Sequence, residues 1–247
     1  MIRLYIFPAV LKGTPNASPF CVKLEAALRL GGVPHQVWYE TNPANGPKGK
    51  LPFIEIEGER IGDSALILGH LKEKLGIDLD RGLSDLERAQ SHMLQRMLDE
   101  RLYWVLVYSR WIEDRNWAAV KRGFFGGLPF PLSRIVPRMA RKQMRAALHA
   151  QGTGRHTSEE IYALGAMDLA ALSTMLGDKQ FFFGDKPTLA DAAAFACLIN
   201  IVGPELASPL KDAALRHDNL MRHTDRMGEL YASKRQRQQF VLTMKAA

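Results

Sequence analysis

Two short runs rich in β-forming residues, IRLYIF (2–7) and HQVWYE (35–40), bracket the amphipathic run VKLEAALRL (22–30). A strand, a helix and a second strand in that order make a βαβ unit, whose crossover helix lets the two strands lie parallel. The next segment, LPFIEIEGERIGDS (51–64), reads as two short strands turned at Glu57 and Gly58. A helix then runs from Ser64 to Leu75 and stops at Gly76. The order β-α-β-β-β-α dictates a mixed four-stranded sheet, because a hairpin adds antiparallel strands to the parallel pair.

Beyond GIDLDRG (76–82) the texture becomes helical. Ser84 with Glu87 reads as a capping box, in which a hydroxyl and a carboxylate satisfy each other's backbone amides, and it opens a run that continues to about Glu113. Thr157 with Glu160 repeats the pattern before IYALGAMDLAALSTML, and Thr188 with Asp191 makes a related start before AAAFACLINIV. Between the first two lie a Gly/Pro-rich loop, RGFFGGLPFPL (122–132), a helix expected over about 133–149, and the turn QGTGRHT (151–157). The chain is therefore expected to divide into an α/β unit over 1–76 and an all-helical unit over 84–247.

A hydrophobic share of 47% against 24% charged residues is the balance of a globular chain rather than a disordered one. Only two cysteines occur, Cys21 and Cys197, in unrelated contexts, so no disulfide framework is expected and a reducing, cytoplasmic setting fits. The first residues enter a strand directly, without the pattern of a secretory signal, and AAAFACLINIVG is too short to span a bilayer. A net charge of +7 favours anionic partners in general but specifies none, and nucleic acid is not an expected partner. The seven histidines show no metal spacing; His217 and His223 stand six apart, which suits neither helical nor hairpin ligation, and no metal is expected.

Three stretches carry chemistry. SPFC (18–21) joins the first strand to the first helix, where free amides and the positive helix end stabilise an anion such as a thiolate. In C-x-x-C redox motifs the first position is the exposed nucleophile, and here it is Ser18; Cys21 alone cannot complete an internal disulfide cycle. The plainer account makes Ser18 an N-cap with Pro19 at the first helical position. In GKLPF (49–53), Pro52 opens a strand and is expected to follow a cis peptide, leaving the Leu51 backbone free to pair with an extended ligand, or to be a simple edge-strand proline. In GDSAL (62–66), Asp63 and Ser64 start the helix that closes the sheet, where they hold either a carboxylate or only the cap. Cys197 reads as a small core residue and Tyr5 as structural, and Trp104, Trp111 and Trp117 either pack the core or line an apolar pocket.

Taken together, these stretches resemble the glutathione transferase superfamily, a thioredoxin-like domain followed by an all-helical domain, over essentially the whole chain. Ser18, three residues ahead of Cys21, is similar to the serine of serine-type transferases and to the cysteine of omega-type ones; Cys21 is the alternative. Leu51 and Pro52 match the motif that pairs with the cysteinyl part of glutathione, and Asp63 and Ser64 the pair that receives its γ-glutamyl end. DKPTLADAAAF (185–195) matches the buried capping box of the helical domain. SPFC, GPKGKLPFIE and GRHTSEEIY are similar, further, to the branch of failed axon connections and the metaxins. The resemblance implies glutathione as co-substrate, a small hydrophobic electrophile against the helical domain, Lys48 or Lys50 at the glycine carboxylate, and a homodimer as an assembly the fold permits. Its alternative is a non-catalytic adaptor or membrane-associated interaction protein.

RIVPRMARKQMRAALH (134–149) sets Arg134, Arg138, Arg141, Lys142 and Arg145 opposite Ile135, Met139, Met144 and Leu148. This helix is expected to pack on the bundle with its arginines outward, a membrane surface being the other reading.

Overall fold

A computed structural model describes the backbone of residues 1–245 and the side chains of residues 1–233. Strands β1 (Ile2–Ile6), β2 (His35–Tyr39), β3 (Phe53–Ile56) and β4 (Glu59–Gly62) form one sheet in the order β2-β1-β3-β4. β1 and β2 are parallel across helix α1 (Pro19–Leu30), and β1–β3 and β3–β4 are antiparallel. Helix α2 (Ser64–Leu75) closes the sheet and ends at Gly76, whose φ of 66° is the left-handed conformation that glycine adopts freely.

The helical part comprises α3 (Asp85–Met97), α4 (Tyr103–Val107), α5 (Asp114–Phe125), α6 (Leu132–Gln151), α7 (Ser158–Leu176), α8 (Leu189–Val202), α9 (Pro209–Leu215) and α10 (Asp218–Lys245). Two π-helical turns, Leu98–Leu102 and Tyr108–Ile112, join α3 to α4 and extend α4, so one run from Asp85 to Ile112 is helical throughout. All three capping boxes form. Asp191 does more than cap: it also accepts from the Phe182 amide at 3.0 Å and meets His223 Nε2 at 2.9 Å in a fully buried pair.

The two halves meet along α1. Cys21, Leu24 and Leu28 face the sheet core, while Val22, Ala26 and Ala27 pack with Ala192, Phe195 and Ala196 of α8 and Met227 and Tyr231 of α10. A helix covered on both sides has nowhere to put charge in water, yet Lys23, Glu25 and Arg29 lie on it and are buried. Each has a partner: Lys23 Nζ meets Asp99 at 2.6 Å, and Glu25 takes Arg29 and the Tyr231 hydroxyl. Arg29 also donates to the Tyr231 carbonyl at 3.0 Å. Asp80, after α2, ties this junction from the other side by accepting from the Leu189 amide at 2.9 Å, which starts α8.

α6 departs from expectation in two respects: Ile135 and Met139, expected opposite the arginines, are exposed beside them, and one arginine does not point outward. Arg141 turns in and donates to the Trp111 carbonyl at 2.8 Å, the Ile112 carbonyl at 2.7 Å and Asp114 at 2.6 Å, because the π turn ending at Ile112 leaves carbonyls without helical partners. Among the described residues, no helix is long and apolar enough to cross a membrane.

Candidate functional site

The sheet register brings the three stretches together. Tyr5 pairs with Phe53 and Phe53 with Gly62, so the chain leaving β1, the chain entering β3 and the chain leaving β4 all lie at one edge of the sheet. Neighbouring strands sit ~4.8 Å apart, so the β1 and β4 ends are separated by roughly 10 Å, about the reach of three extended residues. Leu51–Pro52 and Asp63–Ser64 adjoin the second and third of these chain ends, and Ser18 is tied back toward the first by Asn16.

The loop after β1 is fixed by its own polar groups. Fully buried Asn16 donates to the Phe7 carbonyl, its side-chain oxygen accepts from the Ser18 amide at 2.9 Å, and Thr14 Oγ1 donates to the Asn16 carbonyl at 2.9 Å. Arg110, buried in the second π turn, donates to the Ala17 carbonyl at 2.6 Å and to Asn200 Oδ1 at 2.9 Å. Among the described residues it has no carboxylate partner, and burial pulls its pKa down to about 10. Backbone packing adds to this: a Cβ on Gly13 would lie 2.1 Å from the Gly203 oxygen, so only glycine lets the loop and the end of α8 approach so closely.

Ser18 is the N-cap of α1, with Pro19 following and no acidic residue in the first turn. Its Oγ accepts from the Cys21 amide at 3.4 Å, the long end of hydrogen bonding, and the side chain is half-buried. Cys21 is fully buried, and burial pushes its thiol up to about 12 despite the opposing hydrogen bond of Ser18. A thiol so held is neutral and out of reach, the opposite of a reactive cysteine. Cys197 is buried in the helical core, with its thiol likewise pushed up to about 12 by burial.

The Leu51–Pro52 peptide is cis. The segment ahead of it turns at Gly46, where a Cβ would meet the Lys50 carbonyl oxygen at 2.2 Å, and is tied to β4 by Arg60 donating to the Asn45 carbonyl at 2.8 Å. Lys48 and Lys50 are exposed, whereas Leu51 and Pro52 are buried. Asp63 caps α2 through Oδ1, which accepts from the Ala65 amide at 2.9 Å and the Leu66 amide at 3.3 Å. Its φ of 79° is unusual for a residue with a Cβ and costs roughly 1 kcal/mol or more, so the surrounding turn holds Asp63 in place against local preference. Ser64 is buried beside it.

Tyr5 stacks on Phe53 with ring centroids 4.3 Å apart and donates to Glu55 at 3.3 Å. Phe7 begins an aromatic cluster in which Phe124 lies 6.5 Å away and Trp111 packs 5.4 Å from Phe124 and 5.9 Å from Trp117. Trp104 belongs instead to a pair with Tyr103 at 5.4 Å, and Tyr103 meets Phe20 of α1 at 4.8 Å. An apolar groove of about 770 Å³ between α3 and α7, lined by Met93, Met97, Met175 and Phe183, shares no lining residue with the sheet edge. Among the described residues, no group of three or more His, Cys, Asp or Glu could hold a metal ion. Asn16, Lys23, Asp99 and Arg110 shape the site's surroundings without a signal in the sequence, since each acts through a partner distant along the chain or through main-chain carbonyls.

Comparison with known proteins agrees with this architecture. The glutathione S-transferase N-terminal domain matches residues 19–116 and the glutathione S-transferase C-terminal domain residues 165–227. Failed axon connections of Drosophila melanogaster is 36% identical over 228 residues, covering 86% of this chain; the chain spans 54% of that protein's length. Isoprene-epoxide–glutathione S-transferase of Rhodococcus is 31% identical, covering 76% of this chain and 82% of its own. A glutathione S-transferase of Ceriporiopsis subvermispora, solved with glutathione, superposes with a TM-score of 0.63 at 17% identity, over 93% of this chain and 97% of its own. The chain belongs to the glutathione transferase superfamily, with a thioredoxin-like N-terminal part and a helical C-terminal part, on the branch of failed axon connections and the metaxins.

Proposed function

We propose that the chain binds glutathione along this sheet edge and transfers its thiolate to a small hydrophobic electrophile. The observation that supports the reading is the register Tyr5–Phe53–Gly62, which puts the end of β1, the opening of β3 and the end of β4 in line, with Asn16 tying the Ser18 amide back to the Phe7 carbonyl after β1. Residues 1–76 form the glutathione-binding unit in this reading and 84–247 the helical one. The Leu51 backbone pairs with the cysteinyl part, Asp63 and Ser64 receive the γ-glutamyl end, and Lys50 or Lys48 meets the glycine carboxylate. The strain held at Asp63 supports a working role for that turn, since such conformations persist where a site requires them.

The thiol then lies at Ser18. Pro19 has no amide that needs a cap, and Ser18 meets only Cys21 within the helix, through a long bond from its amide and through its neutral thiol, so in this reading the hydroxyl turns to donate to a thiolate at the positive end of α1. Lowering a thiol pKa by about two units requires roughly 2.7 kcal/mol, within the range of a charge-assisted hydrogen bond and a helix dipole. The Phe7, Phe124 and Trp111 cluster beside the loop offers the apolar surface for the electrophile.

A second reading, an adaptor that keeps the fold without the transfer, draws on the match to failed axon connections, whose name carries no enzymatic activity. Calorimetric titration with glutathione separates the two, because a catalyst needs the site. Ser18→Ala is expected to leave glutathione affinity nearly unchanged, raise the bound thiol's pKa and slow conjugation about tenfold or more, while Cys21→Ala leaves the rate within about twofold. Loss of activity in Cys21→Ala with Ser18→Ala silent would move the chemistry to the sulfur.

A further inference from the structure

We infer that the outer face of α6, with the Phe130 turn before it, is a docking surface for an anionic phospholipid membrane. The helix of 20 residues, LSRIVPRMARKQMRAALHAQ, contains no acidic residue. Pro137 and Leu148 are buried and Arg141 is spent on the bundle, so its inner face is accounted for. The outer face is not. Phe130, Leu132, Ile135 and Met139 are 74%, 46%, 48% and 56% exposed, and Arg134, Arg138, Lys142 and Arg145 are exposed with them. Among the described residues, no carboxylate lies in salt-bridge reach of those four cations; Asp114 is engaged by Arg141 and also feels the charge of Arg145 at longer range.

The two sets are arranged for a plane. At about 100° per residue, Leu132, Ile135 and Met139 share a sector of ~60°, and the four cations fill the ~80° beside it. An isolated apolar face would call for a second apolar surface, and an isolated basic face for any polyanion. Large apolar side chains side by side with cations on one exposed strip fit a surface that offers acyl chains and phosphate groups together, which is the interface of an anionic bilayer. A nucleic acid or an acidic protein would satisfy the cations and leave Phe130, Ile135 and Met139 in water. The strip does not involve the sheet edge, so lipid docking is independent of glutathione chemistry.

The test is co-sedimentation of the full chain with mixed phosphatidylcholine–phosphatidylserine vesicles against phosphatidylcholine alone. Binding is expected only to the mixed vesicles and is expected to weaken as salt approaches ~1 M, where charges are screened within about 3 Å. Arg138→Glu with Lys142→Glu should reduce affinity by about a hundredfold, and Ile135→Ser with Met139→Ser, at unchanged charge, by about tenfold. Met139→Trp gives a second readout, since its emission shifts to the blue only if that position enters the acyl region. No binding to mixed vesicles at low salt overturns the inference, as does binding that survives the charge reversal. Binding unaffected by the two serines, with no shift at Met139→Trp, also overturns it and leaves a purely ionic partner.

Discussion

Helices α1 and α6 look alike in the sequence, each a run of apolar residues interleaved with basic ones, and the structure treats them in opposite ways. α1 is covered on both sides and its Lys23, Glu25 and Arg29 are buried against named partners. α6 is covered on one side, and four of its five Arg/Lys residues stay outside, none of them within salt-bridge reach of a carboxylate among the described residues. Spacing alone shows where a stripe lies; the number of elements packed against the helix decides whether the charges on it must be paired. A buried charge tolerates no vacancy, because removing a partner leaves an ion out of water, whereas an exposed charge loses little.

The largest effect that would break this contrast is at Asp99, which Lys23 and Arg96 share at 2.6 and 2.7 Å. Asp99→Ala is expected to cost about 3–5 kcal/mol in urea unfolding by leaving Lys23 buried and unpaired, and Lys23→Met with Asp99→Leu to recover most of it. If the single variant is as stable as the wild type, the junction does not depend on its ion pairs. Within α6, Arg141→Ala should cost about 1–3 kcal/mol, since two main-chain carbonyls lose their donor.

A smaller effect sharpens the same point through pH. His35, beside Glu25 and Arg29, has its pKa held below the ordinary 6.5 by burial, with the hydrogen bond to the Val33 carbonyl opposing. As pH falls below that value the unfolded chain takes up a proton that the folded chain resists, so stability drops on the acid side. His35→Phe should flatten that part of a stability–pH curve. Least of all, Arg138→Gln with Lys142→Gln should move Tm by no more than about 2 °C in a thermal melt.

The β3–β4 hairpin and the helix starts at Ser84, Thr157 and Thr188 were legible because each rests on residues within a few positions of one another, whereas the strand order rests on the pairing of β1 with β3 across some fifty residues. α5 carried no such mark: its N-cap, Glu113, makes no side-chain cap, and the run ends in a Gly-rich loop. Of the proposed site, the three stretches are marked by local patterns, while their nearness follows from the register and from Asn16, which no local pattern announces. The buried partners could not be found that way. Lys23 and Asp99 are 76 residues apart, Arg110 reaches the Ala17 carbonyl across 93, and its direction follows from a π turn that no composition announces.

The near-contact of Gly13 with Gly203 bears on whether the chain is modular. The loop that carries Ser18 takes its shape partly from the far half of the protein, through this backbone approach and through Arg110. Cutting between the sheet and the helices would therefore yield two pieces, neither holding a finished Ser18 loop, and an exchange of helical halves between relatives would have to carry a glycine at 203 and an arginine at 110 along with it. What reads along the chain as two parts behaves, at the one place where chemistry is proposed, as a single inherited unit.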